Sequence, residues 1–479
     1  MGFDSFGYIL IFLPAIAILC QLARRISSSK GPQACILVAS IVFYAWPNPS
    51  FLPVLLGSVS MNWLVAQCIG RSNGIWRKRI LELGLILNIG FLCLFKYLSF
   101  IIANVSFLAH HDFQVPKIAF PLGISFFTIT QIMYLVDCYE KQIPPSNLFD
   151  HATFVSFFPY VISGPISRPK RILNQFPALN NGKGPSADLV ARAMFLFSLG
   201  LIKKVVLADA FSKAADYGFG NISGLSTVEA WCFATAYTLQ IYFDFSGYSD
   251  MAIASAMLLG IEIPRNFDAP LRSLSITEYW QRWHISLTAF ITSYLYTPIM
   301  RSFKKATLLT SVIATLIAMT IAGLWHGPNW TFVVFGAIHG TGLAINQVWR
   351  KKKMPTPPNW LCWILTLAVI DLGFVFFHSP NFQVALVYTR QLFTLSHFWG
   401  AENLRRMDGS SDGMGIMLMI LAFSQAIGVV AAFFGKSSDQ LSREFQPTWL
   451  NLAVTSGFTL IAFLYLNSNV TKPFVYFAF

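Results

Sequence analysis

The chain has 479 residues, 55% of them hydrophobic and only 11% charged. An ordinary soluble domain carries about 25% charged residues, so this composition cannot cover a water-facing surface, and the two or three soluble domains that such a length suggests are set aside. The formal net charge is +13, but the basic residues stand in short clusters between apolar runs, which is the pattern of cytoplasmic loops rather than of a nucleic-acid-binding face.

A bilayer-spanning helix takes about 20 mostly apolar residues. In chain order, such runs are predicted at 8–23, 34–46, 51–69, 80–108, 117–137, 189–209, 228–260, 306–324, 329–349, 360–378, 415–435 and 449–468. Pro47-Asn48-Pro49 predicts a turn between the second and third. Segments 151–162 and 285–299 are apolar but short or interrupted, and read as re-entrant or interfacial. The longest polar stretch, 379–414, is expected to be an outer loop with a short helix. No Lys or Arg precedes the first apolar run, Tyr8–Leu22, while Arg24 and Arg25 follow it. That order predicts an anchor with its N-terminus outside, not a cleavable signal peptide. Basic clusters then close every odd-numbered span, which puts both termini outside. Lys203 and Lys204, inside the sixth span, and Arg405 and Arg406, in a loop assigned outside, fit this scheme poorly.

The expected fold is therefore an all-α, polytopic transmembrane helical domain over 1–479, with about 11–12 spans plus re-entrant helices around a central cavity. No internal repeat is visible. The seven Cys are scattered through apolar stretches without metal-ligand spacing, so neither a disulfide framework nor a zinc site is expected.

Polar residues at membrane depth are costly, and are functional candidates for that reason. Three clusters stand out. Residues 240–250, QIYFDFSGYSD, put Asp244 and Asp250 in one apolar run, either as a hydrogen-bonded network that fixes packing or as support for an active site. Residues 278–287, EYWQRWHISL, carry His284 among Trp and Arg, a pattern shared with an aromatic interfacial belt. Residues 323–330, GLWHGPNW, flank His326 with helix breakers that fit either a cavity wall or a turn at a span end. His339, beside two glycines, reads as a packing residue.

YFDFSGYSD, NFDAP at 266–270, WQRWHISL and LWHG, in this order, resemble the signature of the membrane-bound O-acyltransferase family, and most closely its bacterial polysaccharide O-acetylation group of the alginate type. The resemblance is strongest over residues 120–340. It departs from the usual pattern after His284, where SLTAFITSYLYTPIMRSFKK stands in place of a Gly-Gly-Asn-Arg-like turn. The resemblance implies His326 as general base and His284 as a second essential histidine, with Asp244, Asp250 and Asn266 as a supporting polar network. Histidine suits the role because its unperturbed pKa is about 6.5.

The implied reaction moves an acetyl group from cytosolic acetyl-CoA, a donor substrate rather than a resident cofactor, across the bacterial inner membrane to a polysaccharide of the alginate, peptidoglycan or cellulose type. An extracytoplasmic SGNH-type O-acetyltransferase is the implied partner protein, because no segment here is long enough to form a soluble catalytic domain. No metal and no nucleic acid are expected. D-alanyl transfer to teichoic acid from a carrier protein is the runner-up within the enzyme class, and a transporter or flippase is the competing class, with no repeated half-structure to support it. The C-terminal residues 471–479, TKPFVYFAF, resemble an aromatic ending of polysaccharide-acylating members. Tyr476 there is expected either to carry the acyl group as a phenyl ester or to anchor the tail at the interface.

Overall fold

A computed structural model of the chain describes residues 2–26, 30–116, 118–400, 403, 415–467, 474 and 475. Every one of the twelve predicted runs falls on a helix, and no strand occurs among the described residues. Among the described residues, seven helices are long and apolar enough to cross a membrane: Gly7–Arg25, Pro49–Arg71, Gly74–Ala109, Leu308–His326, Trp330–Lys351, Asn359–His378 and Trp449–Asn467. Three of the other predicted runs differ from these for physical reasons. Gly31–Ala45 and Ile124–Tyr139 are apolar but have only 15 and 16 residues. The 33-residue helix Thr227–Leu259 is long, but polar side chains such as Glu229 and Asp244 are turned inward along it.

The chain divides into two compact units, each assembled from separate stretches. The first comprises Met1–Phe197, Ser249–Arg265 and Phe445–Leu452. Its core contains a cluster of aromatic rings, with Phe12, Phe43 and Phe158 packed around Tyr8. The Tyr8 hydroxyl, buried there, donates to Ser255 Oγ at 2.7 Å, as a buried phenol must find a partner. Arg24 donates from Nη2 to the Leu259 carbonyl at 2.9 Å, where a helix has just ended and its last carbonyls lack intrahelical donors. The apolar segment at 151–162 is partly the helix Leu148–Ser156, capped by Asn147, and then a buried turn.

The second unit comprises Ser198–Tyr248, Asn266–Glu444 and Ala453–Phe479. Thr227–Leu259 starts here with a reciprocal cap: Glu229 N donates to Ser226 Oγ at 3.3 Å, and Ser226 N donates to Glu229 Oε2 at 2.9 Å. Leu308–His326 starts on a capping box between Thr307 and Thr310 and runs unbroken to His326. The chain breaks just after His326, at Gly327, and Asn329 caps the next helix, Trp330–Lys351. These two helices touch at glycines. A Cβ on Gly323 would lie 2.3 Å from the Phe332 carbonyl oxygen, and one on Gly336 would lie 2.3 Å from that of Met319. Small residues let backbones approach where lipid offers no hydrophobic drive to hold helices together. Segment 285–299 is helical throughout, with a π-helical turn at Ile291–Tyr296 between Ile285–Phe290 and Thr297–Ser302. The loop expected at 379–414 contains the helix Phe382–Leu392 and a 3₁₀ turn at Leu395–His397.

Candidate active site

All contacts below lie within the second unit. Thr227–Leu259 crosses the segment around Gly200–Lys204 closely enough that a Cβ on Gly247 would meet the Gly200 carbonyl at 2.6 Å. At this crossing the chain passes from the helix Ala187–Ile202 into a π-helical turn, Lys203–Ala208. Such turns redirect side chains and recur at functional sites. Lys204 here reaches Asp244, with Nζ 2.7 Å from Oδ1 and both side chains 3% exposed. Lys203 bonds Ser438 and stands 6.0 Å from the Tyr242 ring. The two lysines that fitted the topology poorly thus belong to the interior, and Lys204 is the counter-ion that a buried Asp244 requires.

The other oxygen of Asp244, Oδ2, accepts from the backbone N–H of Val475 at 2.8 Å. The preceding residue, Phe474, is buried; its ring stacks on Tyr248 at 4.2 Å and 9° and meets Phe245 at 5.9 Å. Phe474 and Val475 of the C-terminal motif are therefore seated on the YFDFSGYSD helix. Tyr476 lies outside the described residues.

Phe245 links this seat to the first histidine: its ring stands edge-on to the His284 imidazole at 4.7 Å. His284 joins the helices Ile276–Arg282 and Ile285–Phe290 with φ 42 and ψ 53. A non-glycine residue in that left-handed region is strained and persists only where its surroundings hold it. Asn266 supplies the hold. Its carbonyl accepts from Ile285 N at 2.9 Å, and its Oδ1 accepts from Ser286 N at 3.2 Å and Ser286 Oγ at 2.7 Å. Asp268 and Arg282 close the other side through Asp268 N to the Arg282 carbonyl at 2.9 Å and Arg282 Nη1 to the Asp268 carbonyl at 3.2 Å. The NFDAP and WQRWHISL motifs are thus one clamp around His284. The imidazole is fully buried, and neither ring nitrogen has a hydrogen-bond partner among the described residues. Burial pushes its pKa down, so the ring is neutral, with one ring nitrogen unprotonated.

His326 is buried at the end of its helix, with ring contacts to Trp325 at 5.0 Å, Phe377 at 5.4 Å and Phe335 at 5.8 Å. It faces protein. His326 and His284 are not a hydrogen-bonded pair, since His284 has no such partner among the described residues. They are joined through one aromatic cluster, in which Phe245 meets Phe267, Phe267 meets Trp283, Trp283 meets Phe374, and Phe374 meets Phe377, at 5.0 to 5.9 Å. His339 lies in the same cluster, against Phe335 at 4.7 Å and Trp280 at 5.3 Å, and a Cβ on Gly373 would meet its Nε2 at 2.7 Å.

Asp250 is buried, but it belongs to the first unit. The sequence reading missed Asp371, which is buried in Asn359–His378 and accepts from Thr235 Oγ1 at 2.7 Å and Thr238 Oγ1 at 2.5 Å. A lone acid in the apolar run at 360–378 was the available signal. No group of three His, Cys, Asp or Glu among the described residues could hold a metal.

The family model described as "MBOAT, membrane-bound O-acyltransferase family" matches residues 73–386, a range that contains both site histidines, Asp244 and Asn266. The chain is 34% identical to the peptidoglycan O-acetyltransferase of Helicobacter pylori, over 94% of this chain and 92% of that protein. It is 35% identical to the "Probable alginate O-acetylase AlgI" of Pseudomonas aeruginosa, over 91% of this chain and 81% of that protein. The teichoic acid D-alanyltransferase of Streptococcus thermophilus is 32% identical, over 48% of this chain and 58% of that protein.

Proposed function

The chain belongs to the membrane-bound O-acyltransferase family, and on that premise we propose that it takes an acetyl group from cytosolic acetyl-CoA and passes it across the bacterial inner membrane for O-acetylation of an extracytoplasmic polysaccharide. The chain is an acyltransferase and a multi-pass membrane protein. The observation that carries the finer reading is the likeness to a peptidoglycan O-acetyltransferase along 94% of the chain. Likeness to a D-alanyltransferase covers 48%, so acetyl transfer is the favoured reaction and D-alanyl transfer the second reading.

The chemistry follows from what a hydroxyl lacks. At neutral pH it is a poor nucleophile, and a base in reach contributes about 10²–10⁴-fold. In this reading His326 removes the proton as the acceptor oxygen attacks the thioester carbonyl. The tetrahedral intermediate then collapses, coenzyme A leaves as thiolate, and the histidinium returns the proton to it. His284 acts as the second essential histidine, with Asn266 holding its backbone. The first acceptor is Tyr476. A phenol has a pKa of about 10, so its ester is more activated than a sugar ester and passes the acetyl group downhill. An extracytoplasmic SGNH-type transferase is the partner that takes it to the polymer. The burial of Phe474 and the bond from Val475 to Asp244 support a tail that reaches this interior.

Purified protein in liposomes, given radiolabelled acetyl-CoA on one side only, tests the reading. The wild type should acquire an acetyl group on its C-terminal peptide, and the His326→Ala variant should not. Labelling from a D-alanyl-charged carrier protein instead would favour the second reading. Labelling from neither donor would overturn the acyl-carrier reading.

A further inference from the structure

We propose that the Lys204–Asp244 pair is the receptor for the C-terminal segment, with Asp244 as a positioning residue that fixes the chain at Val475, one residue before Tyr476. The inference deepens the acyl-carrier reading of Tyr476 and rests on it for its bearing on catalysis, though not for the docking itself.

The first argument is energetic. A buried ion pair repays its desolvation poorly, and an apolar pair of similar volume is commonly as stable or more so. A pair with both side chains 3% exposed, inside an apolar helix, therefore calls for a task that an apolar pair could not perform. The geometry supplies one. Lys204 Nζ takes Oδ1 at 2.7 Å, which leaves Oδ2 to accept from the Val475 amide at 2.8 Å. A peptide N–H brought into an apolar interior needs an acceptor, and leaving it unmet is costly. An ionised acceptor makes a bond roughly twice as strong as a neutral one. Lys204 supplies the opposite charge that the carboxylate needs.

The second argument is shape. Phe474 stacks nearly parallel on Tyr248 at 4.2 Å, and Tyr248 lies one helical turn beyond Asp244 on the same helix. Consecutive tail residues thus use two different chemistries on one helical face, a ring for Tyr248 and an N–H for Asp244. A simple aromatic anchor would need only the first. Phe245, which also touches Phe474, is the residue edge-on to His284, so the seat is one side chain away from the histidine clamp.

Hydrogen exchange on the full-length protein in lipid nanodiscs, read by mass spectrometry on C-terminal peptides, tests docking directly. The Val475 amide should be protected in the wild type. In Asp244→Ala its exchange should rise at least about tenfold, the factor that corresponds to about 1.4 kcal/mol of lost bonding, while peptides from 308–351 stay unchanged. Because Asp244→Ala strands the Lys204 charge and could unfold the protein, the paired variant Lys204→Met with Asp244→Leu removes both charges together; it too should lose Val475 protection in a folded protein. Val475→Pro deletes the donor while keeping Asp244, and also fixes φ at this position. It should lower acetyl transfer, and combining it with Asp244→Ala should lower transfer no further than Asp244→Ala alone. Unchanged Val475 exchange in the folded paired variant would overturn the proposal, and so would additive losses in the combined variant. Normal transfer by Tyr476→Phe would refute the acyl-carrier reading alone and leave the exchange result standing.

Discussion

Asp244 accepts a hydrogen bond from the backbone of Val475 at 2.8 Å across 231 residues of sequence. The YFDFSGYSD helix and the C-terminal segment thereby share one carboxylate, whose other oxygen is held by Lys204. One polar residue of the long apolar helix thus bonds the backbone of the C-terminal segment, and its neighbour Phe245 touches His284.

Removing only one charge of this pair should be severe. Lys204→Met leaves Asp244 buried without its cation, a loss of about 3–5 kcal/mol for pairs of this kind. Unfolding in a denaturing-detergent titration should shift accordingly. Adding Asp244→Leu should restore most of the stability without restoring acetyl transfer. A Lys204→Met variant as stable as wild type would show that the pair carries no such penalty.

Much of this was legible from residue types. Apolar run length placed each of the twelve predicted runs on a helix, and the cost of buried charge flagged Asp244, His284 and His326. What the sequence could not show is pairing at a distance. Lys204 looked like a misplaced cytoplasmic charge because the positive-inside pattern counts charges and does not see a partner 40 residues on. Asn266 enters the sequence reading only through the resemblance, as part of a supporting polar network, since its clamp depends on a left-handed backbone at His284 that no local pattern announces. Asp371 went unnoticed because its two threonine donors stand on another helix.

The Asn266 clamp gives a prediction about His284. Asn266→Ala removes the acceptor for Ser286 N and Oγ, and a buried donor left unmet costs about 1–3 kcal/mol. The strained turn should relax and acetyl transfer should fall at least tenfold. Asn266→Asp keeps an oxygen at the same place and should retain more activity than the alanine variant. Equal activities in a labelled acetyl-transfer assay would show that the clamp does not matter.

The glycine contact between Leu308–His326 and Trp330–Lys351 should also be sensitive. Gly323→Ala puts a methyl group 2.3 Å from the Phe332 carbonyl oxygen, so the backbones must separate, at a cost of about 1–3 kcal/mol. Gly457, in the helix Trp449–Asn467, has nothing within 4 Å of its would-be Cβ. Gly457→Ala should therefore be neutral, or stabilising by up to about 1 kcal/mol through helix propensity. Thermal unfolding of the two variants side by side checks the contrast, and equal melting temperatures would rule it out.

The histidines should separate chemistry from structure. His326→Ala should reduce acetyl transfer by about 10²–10⁴-fold while the protein stays inserted and folded, the range expected for loss of a general base. His284→Ala should do nearly the same, through loss of the second buried imidazole. His339→Ala should lower thermal stability, because its ring fills a space between Phe335 and Trp280, and should lower activity less than either. Transfer within tenfold of wild type in both His326→Ala and His284→Ala would remove the general-base assignment.

Tyr476 gives the sharpest chemical test, because Phe differs from Tyr only by the oxygen. If the tail is an aromatic anchor, Tyr476→Phe keeps the ring and keeps function. If the phenol carries the acetyl group, the same change removes the only atom that can form the ester, and transfer to the extracytoplasmic side should stop while Val475 stays protected from exchange. Phe474→Ala makes the opposite change. It keeps the phenol but deletes the ring stacked on Tyr248 at 4.2 Å, so the acyl carrier should still form, more slowly, because the tail occupies its seat for less of the time. Raising the acetyl-CoA concentration should not rescue either variant, since neither change touches donor binding. The expected pattern is a Tyr476→Phe protein with no acetyl mass on its C-terminal peptide and a Phe474→Ala protein with a reduced but measurable one. Full transfer by Tyr476→Phe would leave the tail as an anchor only.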